Sequence, residues 1–304
     1  MSTPTTGFRT GYVALAGPPN VGKSSLLNRL VGEKLSIVSH KPQTTRHRVM
    51  GIVTTGQFQA IFQDTPGYLV PDYLLQENMM AFARQSLSDA DVVLLMFDAA
   101  APRLPDVMSV LVADLNRLNK PVLAVLNKLD TSDAKRMERL SELIRSAIPA
   151  VQAVLPVSAR TGEGTSQLMD ALAPLLPEHP PLYPPDDLST HQMRFFAEEM
   201  IREKIFLQFE KEIPYSSAVL VNAYTEREDG VDEISAEIIV ERDSQKVILI
   251  GRKGEAIRNL GMAARRDIEQ LTGRKVFLQL FVKVRKDWRK NRTFLKSYGY
   301  DPTS

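Results

Sequence analysis

Short apolar runs recur along the first half of the chain, separated by longer segments with helical patterns. The runs cover residues 12–16, 60–62, 92–97, 122–126 and 153–157. Continuous apolar runs are typical of strands that are buried on both faces, and the long connections favour parallel pairing through crossover helices. The pattern predicts an α/β region whose sheet is mainly parallel.

The second half has a different pattern, in which single helices and strands follow one another without repeating units. Apolar positions about four apart predict a helix that opens at Ser189, and strands follow near 217–224 and 233–241. A helical stretch ending at 250, a helix over 255–271 and a cleanly alternating strand over 275–285 complete the order. This order predicts an α+β domain, in which Trp288 packs on the last helix rather than stacking on a base.

A proline-rich stretch separates the two regions. Six of the nineteen prolines lie between residues 174 and 185, where they exclude a helix or an interior strand. We therefore expect a first domain over 1–173, a linker over 174–188 and a second domain over 189–304.

Composition excludes several classes of protein. The chain has no cysteine, hence no disulfide or thiolate metal site, and no run of 18 uncharged apolar residues that would predict a membrane span. The four histidines have no paired spacing typical of metal ligands. The first residues lack the pattern of a secretory signal, so we expect a cytoplasmic protein, assumed to be a monomer.

The net charge of +2 conceals an uneven distribution. Residues 246–296 carry 15 Lys or Arg against 4 Asp or Glu, whereas residues 1–245 have a balance of −8. A basic segment on an acidic chain indicates a polyanionic partner, with nucleic acid favoured over anionic lipid. A solvated basic face without a partner is the remaining alternative.

A G-x-x-x-x-G-K-S segment follows the first predicted strand, from Gly17 to Ser24. Glycines allow such a loop to turn its backbone N–H groups toward phosphates, and the helix that begins near Lys23 adds its N-terminal dipole. We expect the Lys23 ammonium to contact the β- and γ-phosphate oxygens of a nucleotide and the Ser24 hydroxyl to bind Mg²⁺.

Two further segments indicate a metal and a phosphate switch. Asp64 follows the run 60–62 and is expected to hold Mg²⁺, while the N–H of Gly67 is expected to reach a γ-phosphate. The polar segment 41–48, which precedes them, contains two threonines, of which we favour Thr45 over Thr44 as a ligand of the same ion. Lys23, Thr45 and Gly67 are the predicted catalytic residues.

The arginines of segment 41–48 and the residue after Gly67 bear on hydrolysis. Arg46 and Arg48 could stabilise the charge on the transferred phosphoryl group, as arginine fingers do. Alternatively they form part of a solvated switch surface, which is the interpretation we favour. Tyr68 stands where many small GTPases have a glutamine that orients the attacking water. Slow intrinsic hydrolysis, or another way of placing the water, is therefore expected.

Asn127, Lys128 and Asp130 form an N-K-x-D segment that predicts a guanine site. A carboxylate at Asp130 can accept from N1–H and the N2 amine of guanine, whereas adenine would leave it unpaired. Ser158 and Ala159 end the last predicted strand of the first domain, and their loop is expected to direct a backbone N–H toward guanine O6. The predicted GTP contacts are Gly17, Asn20, Val21, Gly22, Lys23, Ser24, Ser25, Asp64, Thr65, Pro66, Gly67, Asn127, Lys128, Asp130, Ser158 and Ala159.

A second glycine loop, Gly251-Arg252-Lys253-Gly254, lies in the basic segment between two predicted helices. It resembles the G-x-x-G loop of the KH module, which clamps single-stranded nucleic acid, and the element order around it is that of a type II KH domain. The resemblance implies RNA contacts by Gly251, Arg252, Lys253, Gly254 and Arg258.

Taken together, the motifs P-N-V-G-K-S, K-P-Q-T-T-R-H-R, D-T-P-G, N-K-L-D and G-R-K-G and the ending L-K-S-Y-G-Y resemble the bacterial Era family of GTPases over nearly the whole chain. Pro18 and Ser25 depart from the usual family residues without removing a phosphate or metal contact. The resemblance implies a Ras-like GTPase domain, a KH domain, GTP or GDP with Mg²⁺, and binding to the 3′ end of 16S rRNA during maturation of the 30S subunit. It also implies some peripheral membrane association.

Two classes of function remain open. In the first, GTP hydrolysis times RNA binding; in the second, GTP controls a membrane or signalling protein whose basic segment binds anionic lipid. Paired glycines that flank two bases favour RNA, because lipid asks only for charge or an amphipathic face. An enzyme that uses GTP as a phosphoryl donor is the least favoured class, since the sequence indicates no second small-molecule site.

Overall fold

The computed structural model describes residues 7–101, 104 and 106–302. The chain forms two compact units, of which the first contains residues up to Ser36, Thr45–Pro71 and Met79–Thr190. The second contains Ile37–Thr44, Asp72–Asn78 and the residues from His191 onward. The two short segments were not indicated by any sequence pattern, and the limits 1–173, 174–188 and 189–304 stay a prediction.

The first unit is built on a six-stranded sheet with helices between its strands. The strand order is β2-β3-β1-β4-β5-β6, in which β2 runs antiparallel to β3 and the other neighbours are parallel. The strands are β1 Arg9–Ala16, β2 Val49–Thr54, β3 Phe58–Asp64, β4 Val92–Asp98, β5 Val122–Asn127 and β6 Val151–Pro156. The helices up to Thr190 are α1 Lys23–Val31, α2 Leu74–Asp89, α3 Met108–Leu118, α4 Ala134–Ala147 and α5 Thr165–Leu172, with 3₁₀ turns at Leu129–Thr131 and Ala173–Leu175.

Strands β1, β4 and β5 are buried along most of their length, as their apolar runs predicted. Strand β2 was not anticipated, because Gly51 interrupts its apolar pattern. A Cβ at Gly51 would lie 2.6 Å from Leu27 Cδ1 on α1, so the strand needs glycine there to approach the helix.

The proline-rich stretch lies extended along the sheet of the first unit. The Thr10 amide donates to Pro177 O at 3.0 Å, and the Ile52 amide donates to Leu188 O at 2.9 Å. Ser189 does not open a helix as expected, because its hydroxyl donates to Met50 O. The helix begins four residues later, at Met193.

The second unit contains a three-stranded sheet in the order β7-β8-β9, antiparallel between β7 and β8 and parallel between β8 and β9. Among its described residues the elements are α6 Met193–Gln208, α7 Ile213–Ser216, β7 Ala218–Thr225, β8 Val231–Val240, α8 Asp243–Ile250, α9 Glu255–Thr272, β9 Lys275–Val284 and α10 Arg292–Ser297. Two 3₁₀ turns lie at Arg252–Gly254 and Trp288–Lys290.

One face of this sheet packs against α6, α8 and α9. The inward residues of the last two strands alternate with outward ones, as Ile234 and Ile238 of β8 and Val276 and Val282 of β9 belong to the core. The predicted fold class, a mainly parallel α/β domain followed by an α+β domain of type II order, is confirmed.

None of the described helices is long and apolar enough to cross a membrane.

Candidate functional site

The loop between β1 and α1 has a backbone that only particular residues permit. Gly17 and Gly22 have φ values of 149° and 95°, and Asn20 has a φ of 62°. A Cβ at Gly22 would lie 2.1 Å from the side-chain nitrogen of Asn127, and one at Gly17 would lie 2.6 Å from Met96 O. The two glycines are therefore needed both for the positive φ values and for the close contacts with Asn127 and Met96. The loop ends at the N-terminus of α1.

Lys23 is buried inside this loop. Its ammonium donates to Pro18 O at 2.9 Å and to Gly17 O at 3.3 Å. Burial lowers the pKa of Lys23 to about 8, and the nearby Asp64 carboxylate opposes that shift. A buried cation held by backbone carbonyls is well suited to exchange them for phosphate oxygens, which carry more negative charge.

Three side chains from three different segments, namely Ser24 at the start of α1, Thr45 in segment 41–48 and Asp64 at the end of β3, bring oxygens together beside Lys23. Ser24 Oγ donates to Asp64 Oδ2 at 2.6 Å, and Thr45 Oγ1 lies 3.0 Å from Ser24 Oγ and 3.5 Å from Asp64 Oδ2. The other carboxylate oxygen of Asp64 is buried without a hydrogen-bond partner in the described part of the chain. Burial raises the pKa of Asp64, with the Ser24 hydroxyl acting against it. Two hydroxyls and a carboxylate are hard oxygen donors of the kind that Mg²⁺ prefers, so the residues fit that ion.

The segment after Asp64 lies directly against the phosphate loop. The Tyr68 amide donates to Gly17 O at 3.0 Å, and the Thr65 hydroxyl donates to Leu15 O at 2.8 Å. A Cβ at Gly67 would lie 2.6 Å from the backbone nitrogen of Pro19. Only glycine fits this approach, which brings the Gly67 backbone to the loop.

Tyr68 does not face the loop, since its side chain is buried in the core and its hydroxyl lies 3.4 Å from Asp114 Oδ2. Burial raises the pKa of Tyr68, which keeps the phenol neutral. This burial agrees with the expectation that Tyr68 does not orient the attacking water, which stays a prediction.

Of the two arginines in segment 41–48, Arg46 does not lie on the solvated surface that was favoured, whereas Arg48 is partly exposed. Arg46 is buried, with 2% of its surface exposed. Arg48 forms an ion pair at 2.8 Å with Asp89, the last residue of α2. Its guanidinium is therefore engaged with a carboxylate at the end of that helix.

Asn127 ties the guanine segments to the phosphate loop. It is buried, its amide group donates to Val21 O at 2.7 Å, and its Oδ1 accepts from the Ala159 amide at 2.9 Å. The Ala159 N–H expected on guanine O6 is thus bonded to Asn127, and its contact with the base stays a prediction. Lys128 forms an ion pair with Asp98 at 2.7 Å.

Asp130 is held by two groups. Ser158 Oγ donates to Asp130 Oδ1 at 2.6 Å, and Arg160 Nε donates to Oδ2 at 2.8 Å. The Ser158 hydroxyl, followed by Arg160, lowers the pKa of Asp130, so the carboxylate is charged and oriented. The sequence analysis missed Arg160 and the orienting role of Ser158; the only signal was a basic residue directly after Ser158-Ala159.

The G-x-x-G loop joins α8 to α9 in the second unit. Gly251, Lys253 and Gly254 all have positive φ, at 71°, 51° and 77°. A Cβ at Gly251 would lie 2.6 Å from Ala256 Cβ, whereas Gly254 has no atom within 4 Å of that position. Arg252 and Lys253 lie on this loop and Arg258 lies in the first turn of α9, and all three are exposed. Helix α9 begins directly after the loop, so its N-terminal amides add to the positive potential.

Trp288 is fully buried, and its indole N–H donates to Ser216 O at 2.9 Å. The prediction that it packs rather than stacks on a base is confirmed.

Lys41 is the other residue whose role was missed. Its side chain is buried in the second unit, where the ammonium donates to Phe206 O at 2.7 Å and Phe209 O at 2.6 Å. These carbonyls lie at the C-terminal end of α6, where the helix dipole favours a cation. Nothing in the sequence separates this lysine from an exposed one.

Comparison with known proteins identifies both parts of the chain. Residues 12–128 match the family described as 50S ribosome-binding GTPase, and residues 212–289 match the KH domain family. GTPase Era of Geotalea uraniireducens is 43% identical over 97% of this chain and 98% of its own length. A chloroplastic ERA-like GTPase of Arabidopsis thaliana is 42% identical over 98% of this chain and 70% of its own length.

Two solved Era structures superpose on almost the whole chain. A point variant of Aquifex aeolicus Era bound to GDP·AlF₄⁻ has a TM-score of 0.93 and 39% identity over 97% of this chain and all of its own. An Era in complex with MgGDPNP and nucleotides 1506–1542 of 16S ribosomal RNA has the same TM-score and identity, with coverage of 97% and 99%. The resemblance drawn from the motifs is confirmed: the chain belongs to the Era family of GTPases.

Proposed function

We propose that this GTPase binds GTP and GDP with Mg²⁺ in its first unit and single-stranded RNA from the 3′ end of 16S rRNA in its second. The observation that carries the first half is the convergence of Ser24, Thr45 and Asp64 oxygens beside the buried Lys23 ammonium. The loop Gly251–Gly254 and the basic segment around it support the second half. The solved relative with MgGDPNP and 16S rRNA nucleotides supports both.

In the proposed nucleotide site, the amides of the loop 17–22 and the Lys23 ammonium hold the phosphates. Ser24, Thr45 and Asp64 would hold Mg²⁺, which supplies charge neutralisation on the β and γ oxygens. A γ-phosphate and its metal would add contacts to the segments that contain Thr45 and Gly67, so loss of the phosphate would loosen both segments.

In this site, hydrolysis would rely on the backbone amides and fixed charges that position the phosphates. Tyr68 points into the core and Arg48 is paired with Asp89, so neither side chain faces the attacking water. Removing a single positioned group from such a reaction costs orders of magnitude in rate. We therefore expect slow turnover by the protein alone.

Base selection would rest on Asp130, with Asn127 holding the surrounding loops. The Asp130 carboxylate is charged and oriented by Ser158, which suits the paired N–H donors of guanine. Adenine would leave this carboxylate without a donor, and discrimination of that kind can reach roughly 10⁴-fold.

The RNA site would use Gly251 and Gly254 to admit the sugar-phosphate backbone, with Arg252, Lys253 and Arg258 supplying charge. Assistance to 30S subunit assembly by a cytoplasmic monomer, with peripheral membrane contact, is the finer part of the proposal. The basic balance of residues 246–296 supports a polyanionic partner in general.

Fluorescence anisotropy of RNA 1506–1542 tests the proposal, with GDP, with a non-hydrolysable GTP analogue and without nucleotide. Gly254→Asp should weaken binding strongly, because it puts a carboxylate where phosphates pass. Gly230→Asp is the matched control, since Gly230 also has a positive φ, 81°, and no atom within 4 Å of a Cβ. An equal loss of RNA affinity in both variants would mean that the loop is only an electrostatic patch. RNA affinity that does not depend on RNA sequence or on the nucleotide would mean the same, and either result would favour anionic lipid as the partner.

A further inference from the structure

The sheet of the second unit has an outer face that the helices leave uncovered. On β9, Val276, Leu278, Leu280 and Val282 turn toward the helices, so the residues between them turn outward. Phe277 and Phe281 are 52% and 50% exposed there. We call the outward residues Lys275, Phe277, Gln279, Phe281, Lys283 and Arg285 the outer strip.

Two half-exposed phenyl rings on an edge strand leave apolar surface in contact with water. Strand β9 lies at the edge of the three-stranded sheet and has no strand on its outer side among the described residues, although the Val276 amide donates to Glu269 Oε1 at 3.1 Å. Long edge strands with exposed aromatics invite pairing with another chain. The exposed side chains of Phe277 and Phe281 on such a strand therefore indicate a surface that binds another molecule.

The charge on the strip indicates what that occupant is. Strand β9 contains no Asp or Glu, and Lys275 and Lys283 flank the two rings on the same face. The neighbouring strand β8 places Glu233 beside Phe277 and Glu237 beside Phe281. Arg227 lies 3.6 Å from Glu233 and 3.3 Å from Asp229, and Lys283 of the strip itself contacts Glu237.

The strip continues beyond the strand onto the C-terminal helix. Arg285 lies close to the Tyr298 side chain, and the Tyr298 ring stacks on Phe294 with centroids 5.9 Å apart and planes within 13°. Exposed Arg292 and Lys296 lie on the same helix, α10. Cations thus lie at both ends of the ring pair on β9 and on the helix that follows.

This combination suits single-stranded RNA. Bases of any identity stack on exposed aromatic rings, and cations between the rings contact the backbone. The side chains of Phe277 and Phe281 lie about 13 Å apart, since Phe281 is four positions after Phe277 and a strand rises about 3.3 Å per residue. The Gln279 amide lies midway and can hydrogen bond to a base between the two rings.

We propose that the outer strip is a second surface for single-stranded RNA, separate from the Gly251–Gly254 loop, on which Phe277 and Phe281 stack on bases. The inference rests on the proposed RNA binding and extends it: RNA held at the loop continues across the edge of β9 onto the other face of the sheet. Affinity should then increase with RNA length beyond the roughly four nucleotides that a G-x-x-G loop clamps.

The test compares a short RNA of about four nucleotides with one of about twelve that contains it, both from the 3′ end of 16S rRNA. The variant Phe277→Leu/Phe281→Leu keeps apolar bulk and removes the rings, while Phe277→Tyr/Phe281→Tyr keeps the rings. We expect the Leu variant to bind the long RNA at least about 5-fold more weakly, the Tyr variant to bind it as wild type, and the short RNA to be unaffected by either. Trp288 emission checks that each variant folds, because that indole is buried in the same unit.

Failure of the inference is distinct from failure of the proposed function. If the Leu variant binds the long RNA as wild type does while Gly254→Asp weakens it, the strip is not an RNA surface and the loop still is. If Gly254→Asp also has no effect, the proposed RNA site itself is wrong. A Leu variant that changes only self-association in sedimentation would assign the strip to a second copy of the chain and overturn the inference.

Discussion

Ser158 Oγ donates a hydrogen bond to Asp130 Oδ1 at 2.6 Å. The bond joins the loop after β6 to the loop after β5, and it aims the carboxylate that the sequence assigns to guanine. The same hydroxyl accepts from the Thr161 amide at 3.1 Å, so it is held in turn by its own loop. Two segments about thirty residues apart along the chain thus form one recognition element.

Ser158→Ala should therefore weaken GTP binding without unfolding the protein. Loss of a hydrogen bond to a charged group is worth about 1.5–3 kcal/mol, so we expect at least about tenfold weaker affinity by calorimetry. Ser146→Ala is the control, because Ser146 Oγ makes a similar bond, to Leu143 O, on an exposed turn. An unchanged affinity in Ser158→Ala would show that Arg160 alone orients Asp130.

Lys23 predicts an unusual dependence of stability on alkaline pH. Its pKa is lowered to about 8 in the folded protein, below the 10.5 of the unfolded chain. Between these values the unfolded chain holds a proton that the folded protein has released, so stability attributable to this group rises with pH from 8 to 10.5. The full contribution is present above 10.5 and is lost as the pH falls through 8.

Urea unfolding of the nucleotide-free protein at about pH 7.5 and about pH 10 measures this effect against Lys23→Met. The difference in unfolding free energy between wild type and variant should move in favour of wild type by on the order of 2 kcal/mol. Addition of GTP with Mg²⁺ should stabilise wild type and leave Lys23→Met nearly unchanged. A difference that stays constant between the two pH values would mean that Lys23 is not desolvated as its burial indicates.

The parts of the fold that could be predicted from sequence are those where local pattern and packing agree. Strands β1, β4 and β5 carry continuous apolar runs because they are buried along most of their length, and β9 alternates because one of its faces packs on helices. Motif spacing likewise located Lys23, Asp64 and Asp130, since each of these segments follows directly on a strand of the same sheet.

The rest depends on contacts that no local pattern records. Ser189 has the sequence of a helix cap, yet its hydroxyl bonds to Met50 in a strand 139 residues earlier. The polar segment around Arg46 predicts an exposed switch residue, yet Arg46 is buried. Lys41 and Arg160 are surface-type residues whose partners are backbone carbonyls and a carboxylate brought close only by folding.

Glu198 predicts a pH dependence of opposite sign in the second unit. Burial raises its pKa to about 7, although its carboxylate accepts from the Val221 amide at 2.8 Å. A raised folded pKa means that the stability from this group is fully present below the ordinary value of 4.5 and is lost as the pH rises through 7.

Glu198→Gln keeps an acceptor for the Val221 amide and removes the titration. We expect the variant to match wild type near pH 4.5 and to be more stable above pH 7, by thermal unfolding monitored through Trp288. Glu228→Gln, at an exposed carboxylate of the same unit, is the control and should show no such gain. A variant less stable than wild type at about pH 8 would contradict the argument.

Lys41 anchors the segment Ile37–Thr44 within the second unit through the end of α6. Its ammonium bonds to the carbonyls of Phe206 and Phe209 and to Glu210 Oε1 at 3.1 Å. Lys41→Met keeps the length of the side chain but leaves two buried carbonyls without this donor. Loss of charge-assisted bonds predicts destabilisation of about 2 kcal/mol, visible as an earlier Trp288 transition in urea.

Lys286→Met is the control for this loss, because Lys286 is an exposed lysine of the same unit and its replacement should leave the transition unchanged. An equal response of both variants would mean that the measured loss reflects net charge rather than the helix end. Lys41→Arg then separates the two causes, since it keeps the charge but presents a planar fork in place of a compact ammonium. If the carbonyls at the end of α6 require the ammonium itself, this variant is destabilised as well, although its net charge equals that of wild type.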